Sequence, residues 1–145
     1  MYQLQPATEV DATAIRALIH LVGINPMSLD WRRFVVAIAQ DGSLIGCGQI
    51  KPHRDGSDEL ASIAVHPDWR ERGVATAIIE YLLNDRQGEL YLTCRAGMGP
   101  FYEKFGFQSV MGDELSPYYK RLTRLVGILG KMRLAGEGLL VMKRG

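Results

Sequence analysis

The stretch Glu59-Leu60-Ala61-Ser62-Ile63-Ala64-Val65-His66-Pro67-Asp68-Trp69-Arg70-Glu71-Arg72-Gly73-Val74-Ala75-Thr76 joins an apolar run to the start of an amphipathic segment. Residues 59–65 read as a strand, and His66-Pro67 ends it because proline cannot donate a ladder hydrogen bond. From Gly73 the period becomes helical: Val74, Ile78 and Leu82 share one stripe, flanked by Ala75, Ala77, Tyr81 and Leu83. The first turn of a helix leaves N–H groups without partners and carries partial positive charge. A pyrophosphate supplies acceptors and negative charge at that position. Gly73 lets the backbone curl around an oxygen where a Cβ would obstruct it, and Ala75 keeps the first turn small. Arg70 or Arg72 adds a charge-assisted bond. Arg70, Glu71, Arg72, Gly73, Val74, Ala75 and Thr76 therefore read as a phosphate cradle. Taken alone, the string also fits a tight turn between solvated arginines. It lacks both G-x-x-x-x-G-K-[ST] and G-x-G-x-x-G, which excludes a nucleoside-triphosphate loop and a dinucleotide fingerprint.

Upstream, Thr8 and Asp11 form a capping-box pair that opens a helix through Val22. Val10, Ile15, Leu18, Ile19 and Val22 give that helix its apolar face, and Gly23 stops it. Asn25-Pro26-Met27-Ser28 breaks the chain, with Ser28 capping a short turn over Leu29-Asp30-Trp31. Residues 34–39 and 44–51 read as a hairpin about Gln40-Asp41-Gly42-Ser43, and Asp55-Gly56-Ser57 turns into the strand at 59–65.

Downstream, residues 84–88 end the helix and residues 90–94 form another strand. A short helix over Phe101-Tyr102-Glu103-Lys104 stops at Gly106, and residues 107–111 read as a strand. Ser116-Pro117 is a cap and first-turn pair. Tyr119, Leu122, Leu125, Val126, Leu129 and Met132 recur at helical steps, with Lys120, Arg121, Arg124, Lys131 and Arg133 on the remaining surface. This predicts a basic amphipathic helix over 117–134, weakened by Gly127 and Gly130. Gly136-Glu137-Gly138 then leads to a last strand at 139–142.

At 145 residues and with neither repeat nor low-complexity linker, the chain is expected to form one domain over 1–145, with a basic helical insertion at about 116–135. The net charge of +1 implies no bulk attraction to nucleic acid or anionic membrane. Cys47 and Cys94 have neither C-x-x-C spacing nor ligand-like neighbours, so they read as buried thiols of a reducing, cytoplasmic protein with no metal site. The N-terminal residues do not resemble a signal peptide, and no apolar run reaches the ~20 residues of a membrane span.

The stretch from Glu59 through Thr76 resembles the acetyl-coenzyme A motif of the GNAT superfamily of N-acetyltransferases. Its pattern Q/R-x-x-G-x-G/A is met by Arg70, Gly73 and Ala75. Phe101-Tyr102-Glu103-Lys104-Phe105-Gly106-Phe107 resembles the family's second hallmark, an aromatic-Tyr-Glu-Lys-x-Gly-Phe block about thirty residues on. The resemblance covers roughly residues 3–111 and the last strand. It implies an α/β (α+β) fold with a central mixed, mostly antiparallel twisted sheet flanked by helices, and a cofactor cleft between the fourth and fifth strands.

The resemblance further implies acetyl-coenzyme A as acyl donor and a primary amine, of a small molecule or a protein, as acceptor, in a chain compatible with a homodimer. The backbone of Ile63, Ala64 and Val65 would pair with the pantetheine arm, and residues 70–76 would hold the pyrophosphate. Attack on a thioester needs a neutral amine, and an alkylammonium with a pKa near ~10 must first lose a proton. Glu59, eleven residues before Arg70, matches the glutamate base of several members, with His53, His66 and water as alternatives. Tyr102 matches the tyrosine that protonates the departing thiolate. The asparagine many members carry near Thr93-Cys94-Arg95 is absent, which leaves Cys94 either beside the thioester or as an inert thiol. A non-catalytic acyl-coenzyme A sensor and a longer-chain acyltransferase are the competing readings. Acceptor identity is not encoded in these motifs; residues 24–31 and 112–138, Tyr118 and Tyr119 among them, are expected to shape its groove.

Overall fold

The computed structural model describes residues 1–84, 86–132 and 138–145. Among them run β1 (Tyr2–Pro6), α1 (Ala12–Val22), β2 (Phe34–Ala39), β3 (Leu44–Pro52), β4 (Asp58–Val65), α2 (Val74–Leu83), β5 (Leu90–Arg95), α3 (Gly99–Glu103), β6 (Gln108–Ser109), α4 (Pro117–Met132) and β7 (Leu139–Arg144). The hydrogen-bonded strand order is β1-β2-β3-β4-β5-β7-β6. The β1–β2, β2–β3, β5–β7 and β7–β6 pairs are antiparallel, whereas β4 and β5 run parallel with Glu59 opposite Tyr91. A parallel pair needs a crossover, and α2 supplies it. This is the mixed, mostly antiparallel sheet with helices that the resemblance implies.

The described residues fall into two compact units, one of residues 1–51 and 60–86, the other of residues 52–59 and 87–145. In the first, Asp11 accepts from the Thr8 N–H at 2.8 Å, and Gly23 ends α1 at φ 80°. Ile15, Leu18 and Ile19 are buried against Phe34, Val36 and Cys47. Val10, read as part of that face, is 87% exposed because it precedes the helix proper in a 3-10 turn. The cap of the turn at Trp31–Arg33 is Asp30, which accepts from the Arg32 N–H at 3.0 Å; Ser28 does not take that role. Strand β1, unforeseen in the sequence, pairs along β2 and turns Tyr2 and Leu4 toward Val35, Ala37 and Ile78. Helix α2 lies directly on β3: a Cβ on Gly48 would stand 2.6 Å from Ile63 Cδ1 and 2.8 Å from Ile78 Cγ2.

In the second unit, Tyr91, Leu115, Tyr119 and Val141 form the core under α4. Lys120, Arg121 and Arg124 face solvent as the periodicity requires, but Leu125, placed on the apolar stripe, is 55% exposed. Ser116, read as the cap of α4, has its hydroxyl 3.5 Å from Ser57 Oγ, and the Tyr118 N–H goes to Asp55 Oδ2 at 2.9 Å. Strand β6 is two residues long rather than five, and Phe107 just before it is buried. Asp85, the helix end at Arg133 and Leu134, and Gly136 and Glu137 lie outside the described residues. So do the side chains of Val126, Leu129, Lys131 and Met132.

Candidate active site

The donor loop belongs to the first unit. Ile63 and Val65 point into the cluster around Val74 and Ile78, and Ala64 into the opposite one, as strand alternation dictates. After β4, the His66 Nδ1 accepts from the Asp68 N–H at 3.1 Å, and the Trp69 N–H donates to the His66 carbonyl at 2.8 Å. This explains His66: it caps the turn over Pro67–Trp69. Residues 70–73 are exposed, while Val74 is buried and anchors the start of α2.

Glu71 has φ 61° and Gly73 φ 78°, with Arg72 between them outside the positive-φ region. Such alternation turns successive N–H groups toward one side and makes an anion-binding concavity at a helix start. A Cβ on Gly73 would meet nothing within 4 Å. The glycine is therefore required here by its left-handed backbone, with open space on its Cβ side, and not by crowding within the chain. Arg72 lies over the Trp69 ring, 5.0 Å from its centroid, and Trp69 meets the Tyr2 ring edge-on at 6.0 Å.

Glu59 belongs to the second unit, at the start of β4. Its carboxylate Oε1 is 2.7 Å from His53 Nε2, and the two side chains are 9% and 12% exposed. The His53 ring stacks on Tyr118 at 3.7 Å and meets the Tyr119 ring edge-on at 5.8 Å. Tyr119 in turn stacks on Tyr91 at 4.5 Å. Tyr119 is fully buried, so it is a wall of the core and not a side chain reaching into an open groove. Burial first, and then the Glu59 carboxylate, raise the Tyr119 phenol far above its ordinary range.

Tyr102 sits on α3, edge-on to the Phe107 ring at 6.3 Å. Burial, and secondarily the nearby Cys94, push its phenol up to about 12. Cys94, on β5, is partly exposed, its thiol raised by burial and 3.9 Å from Met142 Sδ. Cys47 is buried in the first unit, with its thiol pushed up to about 12.

A family model described as an acetyltransferase (GNAT) domain matches residues 30–109 of this chain. The chain belongs to the GNAT acetyltransferase family. This GNAT domain is 42% identical over 52 residues to the mycothiol acetyltransferase of Mycolicibacterium vanbaalenii, a match covering 36% of this chain and 17% of that protein. Its fold is similar to that of the N-acetylglutamate synthase of Neisseria gonorrhoeae, solved with coenzyme A and N-acetyl-glutamate. That likeness has a TM-score of 0.75 at 20% identity and covers 99% of this chain and 35% of that one. It is also similar to the ribosomal-protein-S18-alanine N-acetyltransferase of Escherichia coli, with a TM-score of 0.68 at 17% identity, covering 99% and 93%. The chain thus spans about a third or less of the first two proteins named.

Within this GNAT domain, Ile63, Ala64, Val65 and residues 70–76 form one continuous strand-to-helix element. Glu59 is brought against His53, which the sequence ranked below it. The signal was the Asp55-Gly56-Ser57 turn: once the His53 N–H bonds the Ser57 carbonyl at 2.8 Å, residues 53 and 59 flank the same hairpin. The contribution of Tyr118 carried no such local signal. Among the described residues no helix is long and apolar enough to cross a membrane.

Proposed function

We propose that this GNAT domain transfers an acetyl group from acetyl-coenzyme A to a primary amine. The observation that carries the reading is the loop at 70–76, where opposite-handed backbone at Glu71, Arg72 and Gly73 precedes the N-terminus of α2. These residues fit a pyrophosphate: residues 70–73 are exposed at the positive end of a helix, and the Cβ side of Gly73 is open. Arg70, Glu71, Arg72, Gly73, Val74, Ala75 and Thr76 hold it mainly through the backbone. The backbone of Ile63, Ala64 and Val65 takes the pantetheine arm. The coenzyme A bound by the Neisseria gonorrhoeae synthase is in keeping with this donor.

Acetyl-coenzyme A supplies a thioester carbonyl and a thiolate leaving group. Glu59 removes a proton from the acceptor's ammonium, which at neutral pH is almost wholly protonated. Tyr102 keeps its proton well beyond neutral pH and would donate a hydrogen bond to the thioester sulfur. With its phenol pushed up to about 12, above the ~8.5 of an ordinary thiol, complete proton transfer is uphill. The hydroxyl therefore acts chiefly by hydrogen-bonding the developing thiolate.

The test is thiol release from acetyl-coenzyme A against amino acids, polyamines, aminoglycosides, arylamines and lysine peptides. Release with one of these classes, lost in Glu59→Gln by about 10²–10⁴-fold in kcat, is the expected result. Binding of acetyl-coenzyme A without release across the panel would overturn catalysis and leave an acyl-coenzyme A sensor.

A further inference from the structure

A carboxylate can take a proton only while ionised, and burying one is costly unless hydrogen-bond donors surround it. Glu59 is buried, and the group that meets Oε1 at 2.7 Å is an imidazole nitrogen. If Glu59 is the base, that nitrogen must carry the hydrogen. The imidazole is itself tightly placed. The His53 N–H donates to the Ser57 carbonyl, the Gly56 N–H donates to the His53 carbonyl at 3.1 Å, and the Asp55 carboxylate closes the turn through the Ser57 N–H and Oγ at 2.9 and 2.6 Å. Tyr118 then lies almost parallel to the imidazole, at 16° and 3.7 Å, and is tied to the same turn through its N–H and Asp55. The titratable groups around the pair are thus Tyr118 and Tyr119 from α4, Tyr91 from β5 behind Tyr119, and Asp55 from the turn.

We propose that His53 is the positioning residue of the base: its Nε2–H donates to Glu59 Oε1, and the stacked Tyr118 ring of α4 fixes the plane in which that bond points. This rests on the reading of Glu59 as base, and it gives α4 a part in catalysis beside any part in acceptor binding. No atom is exchanged between His53 and substrate; its effect is on where the carboxylate stands.

Two measurements on the full chain test it. In thiol-release assays with acetyl-coenzyme A and the best amine of the panel above, His53→Leu should lower kcat by about 10–100-fold, as a misplaced catalytic group does, with the KM for acetyl-coenzyme A unchanged. His53→Gln, whose amide can donate from the same position, should recover most of that loss. The double variant Glu59→Gln/His53→Leu should be no slower than Glu59→Gln, since coupled residues do not add. Independently of any acceptor, ¹⁵N-histidine NMR should show the His53 proton on Nε2, slow to exchange and shifted in Glu59→Gln. A His53→Leu enzyme at wild-type kcat, multiplicative losses in the double variant, or a wild-type His53 protonated on Nδ1 alone would overturn the proposal. Wild-type turnover in Glu59→Gln would instead bring down the base reading, and this inference with it.

Discussion

The Tyr118 N–H donates to Asp55 Oδ2 at 2.9 Å, joining residues 63 positions apart. A helix start leaves N–H groups in want of acceptors, and here the turn between β3 and β4 supplies one for α4. Asp55→Ala should destabilise the fold by about 0.5–2 kcal/mol, the usual worth of a lost cap. In calorimetry that is a fall in Tm of about 2–6 °C; an unchanged Tm would show the contact to be energetically idle. Burial opposes the Asp55 charge, but hydrogen bonds from Ser57, the Tyr118 backbone and Ser116 outweigh it and hold the carboxyl well below the usual carboxylate range. A depressed group stabilises the fold above its unfolded pKa of ~3.9 and loses that contribution as pH falls. The wild type should therefore lose more of its Tm than Asp55→Ala does below pH ~4.

Tyr102 offers a second pH signature. Its phenol, raised mainly by burial to about 12, should stay protonated where an ordinary tyrosine begins to ionise. The kcat profile should then show no loss attributable to Tyr102 between pH 7 and ~10. Tyr102→Phe should lower kcat by about 10²–10³-fold, as removal of one hydrogen-bond donor to a developing anion does, without changing acetyl-coenzyme A binding. A Tyr102→Phe variant with wild-type kcat, where chemistry limits the rate, would remove the residue from the mechanism.

Gly73→Ala separates fold from ligand. A side chain there meets open space but must adopt φ 78°, at a cost of about 1–2 kcal/mol. The variant should fold, by circular dichroism, yet bind coenzyme A at least about tenfold more weakly in calorimetric titration, a loss of ~1.4 kcal/mol or more. Wild-type affinity would mean that the loop does not approach the ligand at this residue.

The two thiols should react unequally. Cys47, buried and pushed up to about 12, donates to the Ser62 carbonyl at 3.6 Å; Cys94 is partly exposed. Iodoacetamide at pH 8 should alkylate Cys94 before Cys47 in the native protein and both in guanidinium, read by mass spectrometry. Because the Cys47 thiol is raised, the stability linked to it holds below its unfolded range of ~8.5–9 and is lost as pH climbs toward 12. Equal native labelling rates would contradict the burial.

Much of the architecture was legible locally. Alternation and turn residues mark β2, β3 and β4 to within a residue or two, because Asp41-Gly42 and Asp55-Gly56 close turns through their own side chains and backbone. The change of period at Gly73 marks α2 for the same reason. Less legible were Val10 and Leu125, whose apolar spacing fits a buried face but whose side chains stand in solvent. Periodicity says which residues share a face, not how far a neighbour covers it.

The sequence by itself determined the strand-to-helix loop of residues 59–76 and the family resemblance it carries, since a β-branched run, a proline stop and a glycine at a helix start act over a few neighbouring peptides. Tertiary structure alone decided the surroundings of Glu59. His53 reaches it across a hairpin, and Tyr118 and Tyr119 arrive from a helix some sixty residues later, held in place by Asp55. Whether a carboxylate is exposed or buried against a donor depends on how distant segments pack. No spacing along the chain encodes that, because packing energies are settled between surfaces and not between neighbours in sequence.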